Sequence, residues 1–409
     1  MTLSLDLDFI RKQFPSSCWD WAFFENAGGS FVPNSVIKRM TEYMTECQVQ
    51  PGELYPASAT AQSRMDKGHS KMAELIGADP QETVIAASTS INVYVMAKAL
   101  RPLWQDGDNI IVTNLNHEAN SGPWRRLANS GINIIEWSVN PETGSLDLDN
   151  LKRLLNDRTR LVAFPHVSNI TGEINSIKAI TQMVHDAGAE VFVDGVAFAP
   201  HRALDLKKWD VDYYVFSFYK IFGPHMGCLY GKQEKLLKAR NQYHYFIGED
   251  TLPGKLNPSG PNHESIASLE GIADYFEALS QHHLGPDYGG LRSGAAQMFE
   301  HIQIHEEKLS RLFLDFCSSK ANVKLYGPTD VRRRAPTFSF TVDGMKSGDI
   351  PALVLDEKIG ISSGHFYAKR LVEALGVKNA DDGVVRCSAL HYTTVEDMQR
   401  LVNALDRVI

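Results

Sequence analysis

Two ionisable residues, Asp194 and Lys220, each follow a short apolar run of strand-favouring residues, Glu190–Val193 and Tyr213–Ser217. Runs of this kind fill parallel sheets that are covered on both faces. Ligands of open α/β sheets lie beyond the carboxyl ends of the strands, so two such strands would deliver a carboxylate and an amine to one crevice. Taken singly, each residue has an ordinary reading, because an Asp after a strand often caps or turns and a Lys before Gly-Pro is usually solvated. Taken together they suit one chemistry. An ionised Asp can hold a proton on a pyridine nitrogen, and a Lys of lowered pKa can form a Schiff base with an aldehyde. Pyridoxal 5'-phosphate (PLP) is the cofactor that requires both.

The elements that must position this pair recur along the chain. Glu82–Ala87, Asn109–Thr113 and Leu161–Phe164 read as further buried strands. Ser176–Ala187 reads as a helix with Ile177, Ile180, Met183 and Val184 on one face. Strand–helix–strand units of this kind argue for a mostly parallel sheet covered by helices. Ahead of them, Pro33–Thr45 and Thr60–Ile76 read as helices, the second ending at Gly77. The helix after Glu82–Ala87 opens on Ser88-Thr89-Ser90, where unpaired N–H groups and hydroxyls suit a phosphate, although the same residues serve equally as caps. No G-x-G-x-x-G and no G-x-x-x-x-G-K-[ST] run accompanies a strand, so dinucleotide and nucleotide readings lack their turns. From about residue 276 the pattern changes to a smaller α+β unit: a strand at Thr337–Val342, a helix at Asp349–Lys358, a loop at 360–368 and a terminal helix at Val395–Leu405. A large domain of residues 1–275 and a smaller one of 276–409 are expected, the N-terminal segment being free to pack on the smaller.

The stretch around the pair resembles the cofactor core of the class V aminotransferase and cysteine desulfurase-like family of fold type I PLP enzymes. That pattern runs V-D-G-x-x-x-x-P-H, then a strand, then S-x-x-K-x-x-G-P, and the chain carries Asp194, Gly195, Pro200, His201, Ser217, Lys220, Gly223 and Pro224 in those places, with Gly227 following. The resemblance covers about residues 20–406. It implies an α/β fold with a mostly parallel, helix-covered sheet in the large domain and a smaller α+β C-terminal domain. It also implies PLP as cofactor, an amino acid as substrate, and a homodimer.

Site residues follow from the resemblance position by position. Ser88, Thr89, Ser217 and Tyr219 fall at the phosphate; Tyr219 replaces a His, so its phenol offers a hydrogen bond without a charge. Asn169, in HVSNITG, falls beside the phenolic oxygen of the cofactor, and Ala197 stands where a Gln is often found against the ring. Ser259 falls near the turn that reaches the neighbouring subunit's phosphate. Arg386, in VVRCSALHYTT, matches the residue that grips the substrate carboxylate, a task suited to a planar guanidinium. Asn26 and Gly28, in FFENAGGS, border the substrate pocket in the family. Two departures stand out. In NLNHEANSGPW the ring-stacking His is replaced by Glu118 while His117 matches the His before it, so either His117 turns inward or Glu118 acts there. In GISSGHFYA the desulfurase nucleophile's place is held by Tyr367, which removes the thiolate that persulfide chemistry needs.

The expected function is therefore PLP-dependent chemistry on an amino acid, through Lys220 and a Cα carbanion. Transamination, C–S elimination, epimerisation and decarboxylation remain open, a true desulfurase is disfavoured, and a non-catalytic binding protein on the same fold is the alternative of a different class. Composition bounds this reading. With 409 residues, 43% hydrophobic and 22% charged, the chain has the make-up of an ordinary globular protein rather than a disordered one. A net charge of −8 argues against a nucleic-acid surface. Five widely spaced cysteines without a C-x-x-C pair signal neither a disulfide framework nor a metal site, which fits a reducing compartment. No apolar run approaches the roughly 18 residues of a membrane span, and the N-terminal segment lacks a long apolar core, so a cytoplasmic location is expected.

Overall fold

The computed structural model of the chain describes residues 4–409. After a short strand β1 (Ala22–Phe23), seven strands build the main sheet: β2 (Thr83–Ala86), β3 (Asn109–Thr113), β4 (Asn133–Trp137), β5 (Thr159–Pro165), β6 (Glu190–Asp194), β7 (Tyr213–Ser217) and β8 (Gly227–Gly231). Their order in space is β2-β8-β7-β6-β5-β3-β4. Every pairing is parallel except those of β8, which runs antiparallel to both neighbours. Successive side chains of a strand point to opposite faces, so a run that is apolar at every position needs a core on each side. Along β6, Val191 and Val193 enter one core and Phe192 the other; along β7, Tyr214 and Phe216 part from Tyr213 and Val215 in the same way. Helices close both faces. Thr89–Leu100 covers one through Val93, Met96 and Leu100, and Ile177–Asp186 covers the other through Ile177, Ile180 and Val184.

The later strands are β9 (Val323–Tyr326), β10 (Thr337–Val342), β11 (Ile359–Gly360), β12 (Ser362–Gly364) and β13 (Val384–Ser388). All but β11 form an antiparallel sheet in the order β12-β13-β10-β9. β11 pairs in parallel with β1, and Ala22 and Phe24 of the N-terminal segment complete the smaller core. The helix Leu291–Ser319 belongs to both bodies: Leu291, Met298 and Ile302 lie in the main core, Leu309, Phe313 and Phe316 in the smaller. Residues 275–276 fall inside the helix Glu270–Leu284, whose Ile272, Tyr275, Phe276 and Leu279 are buried in the main core.

Two helices differ from the sequence reading. The one expected from Thr60 begins at Pro56, since proline is preorganised for the first helical turn, where its missing N–H has no partner to lose. The helix expected over Asp349–Lys358 reduces to Ile350–Leu353 and a 3-10 turn at Leu355–Glu357. Lys358 turns left-handed, at φ 54°, so that the chain can enter β11 and pair with β1. Among the described residues no helix is long and apolar enough to cross a membrane.

Candidate active site

The main sheet reverses its winding between β3 and β5: β4 lies outward of β3, and β5 returns to the other side of β3. Ligands of such sheets lie at the carboxyl ends of the strands beside that switch. The loops after β2, β3, β5, β6 and β7 all open on this end, because β2 and β7 both oppose β8 and so share a direction. They enclose a cavity of ≈ 530 Å³ lined by Ser88, Thr89, His117, Asn169, Asp194, Ala197, Ser217, Tyr219 and Lys220, with Ser90, Pro165, Val167 and Val196 between them.

Asp194 ends β6, and Lys220 closes the turn Phe218–Lys220 after β7. Both are buried. The Asp194 carboxylate accepts the Val196 N–H at 2.9 Å; burial raises its pKa to about 6, against the pull of that N–H and of Lys220. No described residue accepts a hydrogen bond from Lys220 Nζ, and none forms an ion pair with it. Burial first, and the Arg386 guanidinium second, lower the Lys220 pKa to about 8, with Asp194 opposing. Near neutral pH part of this amine is therefore uncharged, the form that acts as nucleophile and base.

At the far wall Ser88 caps the helix Thr89–Leu100, its Oγ accepting the Ile91 N–H at 3.2 Å. Thr89 Oγ1 donates to the Phe216 carbonyl at 2.9 Å and lies 2.7 Å from Ser217 Oγ, which ties the helix to the end of β7. The hydroxyls are thus partly engaged within the protein; the first backbone N–H groups of the helix, which have no intrahelical acceptor, are what the turn offers an anion. β8 approaches this turn closely enough only because residue 227 is glycine, since a Cβ there would stand 2.2 Å from Thr89 N. Tyr219 lines the same cavity, its ring stacked on His225 at 4.9 Å between centroids.

The cavity opens into a vestibule of ≈ 1210 Å³ whose wall adds Glu25, Gly28, Tyr94, Glu118, Phe366, Tyr367 and Arg386. Arg386 comes from β13 and is buried, with Nη1 donating to the Asn169 carbonyl at 3.2 Å. Its guanidinium carbon lies 3.7 Å from the centroid of the Phe366 ring, and Nε has no acceptor among the described residues. Burial lowers its pKa to about 10, with Glu25 opposing, so it is a cation at neutral pH. Asn169 Nδ2 donates to the Phe366 carbonyl at 3.0 Å, leaving the second N–H of the amide for the cavity.

His117 and Glu118 part company. His117 lines both spaces, and its Nδ1 accepts the Ala119 N–H at 3.1 Å, which leaves the ring proton on Nε2. Burial, then Lys220 and Arg386, lower its pKa to about 3, so the ring is neutral. Glu118 faces the vestibule alone, its exposed carboxylate 3.5 Å from Arg370 Nε. Tyr367 stands exposed at the mouth, its ring 5.4 Å from that of His117.

Asn26 corrects the sequence reading. It lines neither space: Nδ2 donates to the carbonyls of Ser388 at 2.8 Å and Phe23 at 3.1 Å, and Oδ1 accepts from the Tyr392 hydroxyl, so the buried amide fastens the N-terminal segment to β13. Gly28, in the same stretch, does reach the vestibule. Ser259 is exposed, with its Oγ 3.5 Å from the Gly260 carbonyl, and lies outside both spaces of this chain. Nothing in the sequence marks Phe366 or Glu25, although Phe366 directly precedes Tyr367 and Glu25 directly precedes Asn26. None of the five cysteines lines either space. Cys387, next to Arg386, packs into the smaller core, where burial drives its thiol pKa upward.

A family model described as aminotransferase class V matches residues 22–280 and 290–401. The chain belongs to that family. An aminotransferase-like protein of Gibberella zeae is 37% identical over 99% of this chain and 99% of its own. A cysteine desulfurase-like protein of Aspergillus flavus is 32% identical over 99% of this chain and 91% of its own. Among solved structures, a cysteine desulfurase from Escherichia coli superposes with a TM-score of 0.83 at 25% identity, covering 98% of each chain. The protein is accordingly a PLP-dependent enzyme of the class V family, acting on an amino acid. Its residues fit the cofactor: the cavity pairs a buried amine lacking a partner with a buried carboxylate that holds a single N–H, and the glycine at 227 keeps the helix opening accessible.

Proposed function

We propose that Asp194, Lys220 and the opening of the helix Thr89–Leu100 hold PLP, that Arg386 holds the substrate α-carboxylate, and that Lys220 takes up and returns the Cα proton. One observation carries this reading. Two buried cationic groups, Lys220 where the cavity meets the vestibule and Arg386 in the vestibule wall, have no ion pair among the described residues. An α-amino acid brings a carboxylate for the second and an amine that can take the place of the first.

When bound, PLP supplies an aldehyde carbon for an amine and a ring that takes up electrons released at Cα. Asp194 would hold the proton on the ring nitrogen, and Asn169, through its second amide N–H, would donate to the phenolic oxygen. Ser88, Thr89, Ser217 and Tyr219 would surround the phosphate, while Ala197 offers an apolar wall. Arg386, with Nε and Nη2 directed along one edge, suits two carboxylate oxygens at once. Lys220, with a pKa near 8, is balanced between taking a Cα proton and giving it back. His117, neutral and bearing its proton on Nε2, can donate a hydrogen bond without adding a third cation beside Lys220 and Arg386.

A loop thiolate has no counterpart here, since Tyr367 stands in its place. The reaction proposed is therefore Cα-proton transfer of the kind an aminotransferase runs. A screen of the holoenzyme against amino acids, assaying keto acid, sulfide and amino-acid products together, tests it. With a second keto acid supplied as amino acceptor, keto acid formed from the substrate with its amine recovered on the acceptor is the expected result; sulfide released from cysteine and abolished by cysteine substitution would overturn it. We further propose a two-fold homodimer in which the exposed Ser259 loop meets the other subunit, and a cytoplasmic location. Light scattering that finds an active monomer would contradict the first of these, and fractionation that recovers the protein outside the cytoplasm the second.

A further inference from the structure

Phe366 occupies the place where the proposed binding groups meet. Its ring lies against the Arg386 guanidinium at 3.7 Å, and its carbonyl accepts Asn169 Nδ2 at 3.0 Å. Arg386 Nη1 in turn donates to the Asn169 carbonyl at 3.2 Å, which closes a triangle among the loop after β5, the loop after β12 and β13. The guanidinium is thereby held on a flat face and at one corner. Its Nε is buried without an acceptor. A carboxylate met by two parallel N–H groups requires the guanidinium plane to be set in advance, and a ring stacked on that plane sets it.

The backbone adopts an unusual conformation to bring the ring there. Phe366 and Tyr367 have φ of 47° and 58°, left-handed values that bulky side chains rarely take. Links from outside the loop hold it. Asn169 binds the Phe366 carbonyl, the Glu118 N–H donates to the Tyr367 carbonyl at 2.7 Å, and the Glu118 carboxylate lies 3.5 Å from Arg370 just beyond the loop.

We propose that Phe366 is a positioning residue for the substrate carboxylate: its ring fixes the plane of the Arg386 guanidinium, whose Nε is buried without an acceptor beside the vestibule. This rests on the reading that Arg386 holds that carboxylate. The two can be tested apart by titrating the holoenzyme with L-alanine and with ethylamine, the same amine without the carboxylate, and following the visible absorbance of the cofactor. The ratio of the two affinities measures use of the carboxylate, separately from turnover. Arg386→Gln removes that preference if the underlying reading holds. Phe366→Ala should then weaken L-alanine binding roughly fivefold to thirtyfold, the span from an exposed to a desolvated cation–π contact, and leave ethylamine unchanged. Phe366→Tyr should restore the preference, and Phe366→Leu, which fills the space without a π face, should restore it only in part. If Arg386→Gln leaves the ratio unaltered, the carboxylate reading itself fails. If Arg386→Gln removes the preference but Phe366→Ala does not, or if Phe366→Ala weakens both ligands equally, Phe366 is only structural and the proposal is overturned. Should Phe366→Ala not fold, Phe366→Leu decides alone: a ratio equal to that of the native protein overturns the proposal.

Discussion

The inner cavity and the vestibule are built by different means. Asp194 ends a strand of the main sheet, and Lys220 and Thr89 sit in the turns directly after two others, so their positions are set by sheet register and by cores on both faces. The vestibule is assembled from the N-terminal segment, loops and a strand of the smaller body, and is tied by single contacts such as Asn169 to Phe366 and Glu118 to Arg370. The difference teaches where each property resides. Groups proposed for cofactor chemistry are set within the main sheet, whereas Arg386 is set by the smaller sheet and meets them only through a few links between the two bodies.

Substitutions in the two regions should therefore fail differently. The largest effect is expected from Lys220→Ala, which should cost about 10²–10⁴ in turnover, as removal of a positioned proton carrier does, while the phosphate end still binds PLP. Turnover within tenfold of native would break the assignment. Next comes Asp194→Ala: exchange of the Cα proton in deuterated water, followed by NMR, should slow by about a hundredfold with the cofactor retained, because the ring nitrogen loses its charge partner. Unchanged exchange would remove Asp194 from the mechanism.

A pH experiment links the regions. Lys220 is held near pKa 8, so the rate at which apoenzyme captures PLP should rise with pH through about 8 as the amine deprotonates. Arg386 lowers that pKa by repulsion across the cavity boundary, so Arg386→Gln should shift the profile to higher pH. A profile that stays in place would mean that the two regions are electrostatically independent. The smallest effect is expected where a relative with a loop thiolate would show the largest: changing all five cysteines to Ser or Ala should leave turnover within about twofold, since none lines either space and the four that are buried behave as small apolar side chains. A loss that only Cys387 restores would revive a thiol mechanism.

The same contrast explains what the sequence could disclose. β3 and β7 are legible to the residue because unbroken apolar runs have only one use in a sheet covered on both sides, and Asp194 and Lys220 become visible as the polar groups that end such runs. The vestibule is less legible. Asn26 carries no sign that three partners of its own chain would occupy its amide, because those partners lie at Phe23, Ser388 and Tyr392, two of them hundreds of positions away. Glu118 turns outward toward Arg370, whose position no local pattern connects with residue 118, so the choice between His117 and Glu118 is equally hidden in the sequence. Phe366 reads as an ordinary apolar residue until the left-handed turn at 366–367 brings it onto Arg386. The failed helix over Asp349–Lys358 has the same origin, since pairing of β11 with β1 overrides local preference.

The central claim is that Lys220 is the residue bonded to the cofactor. Lys255 is the informative rival, being fully buried as well, yet its Nζ donates to the carbonyls of Leu237 and Glu249 at 2.9 and 2.5 Å and lines neither space. Native holoenzyme reduced with borohydride, digested and mapped by mass spectrometry should carry the pyridoxyl group on Lys220 alone; the group on Lys255 or any other lysine, with Lys220 unmodified, would contradict the account.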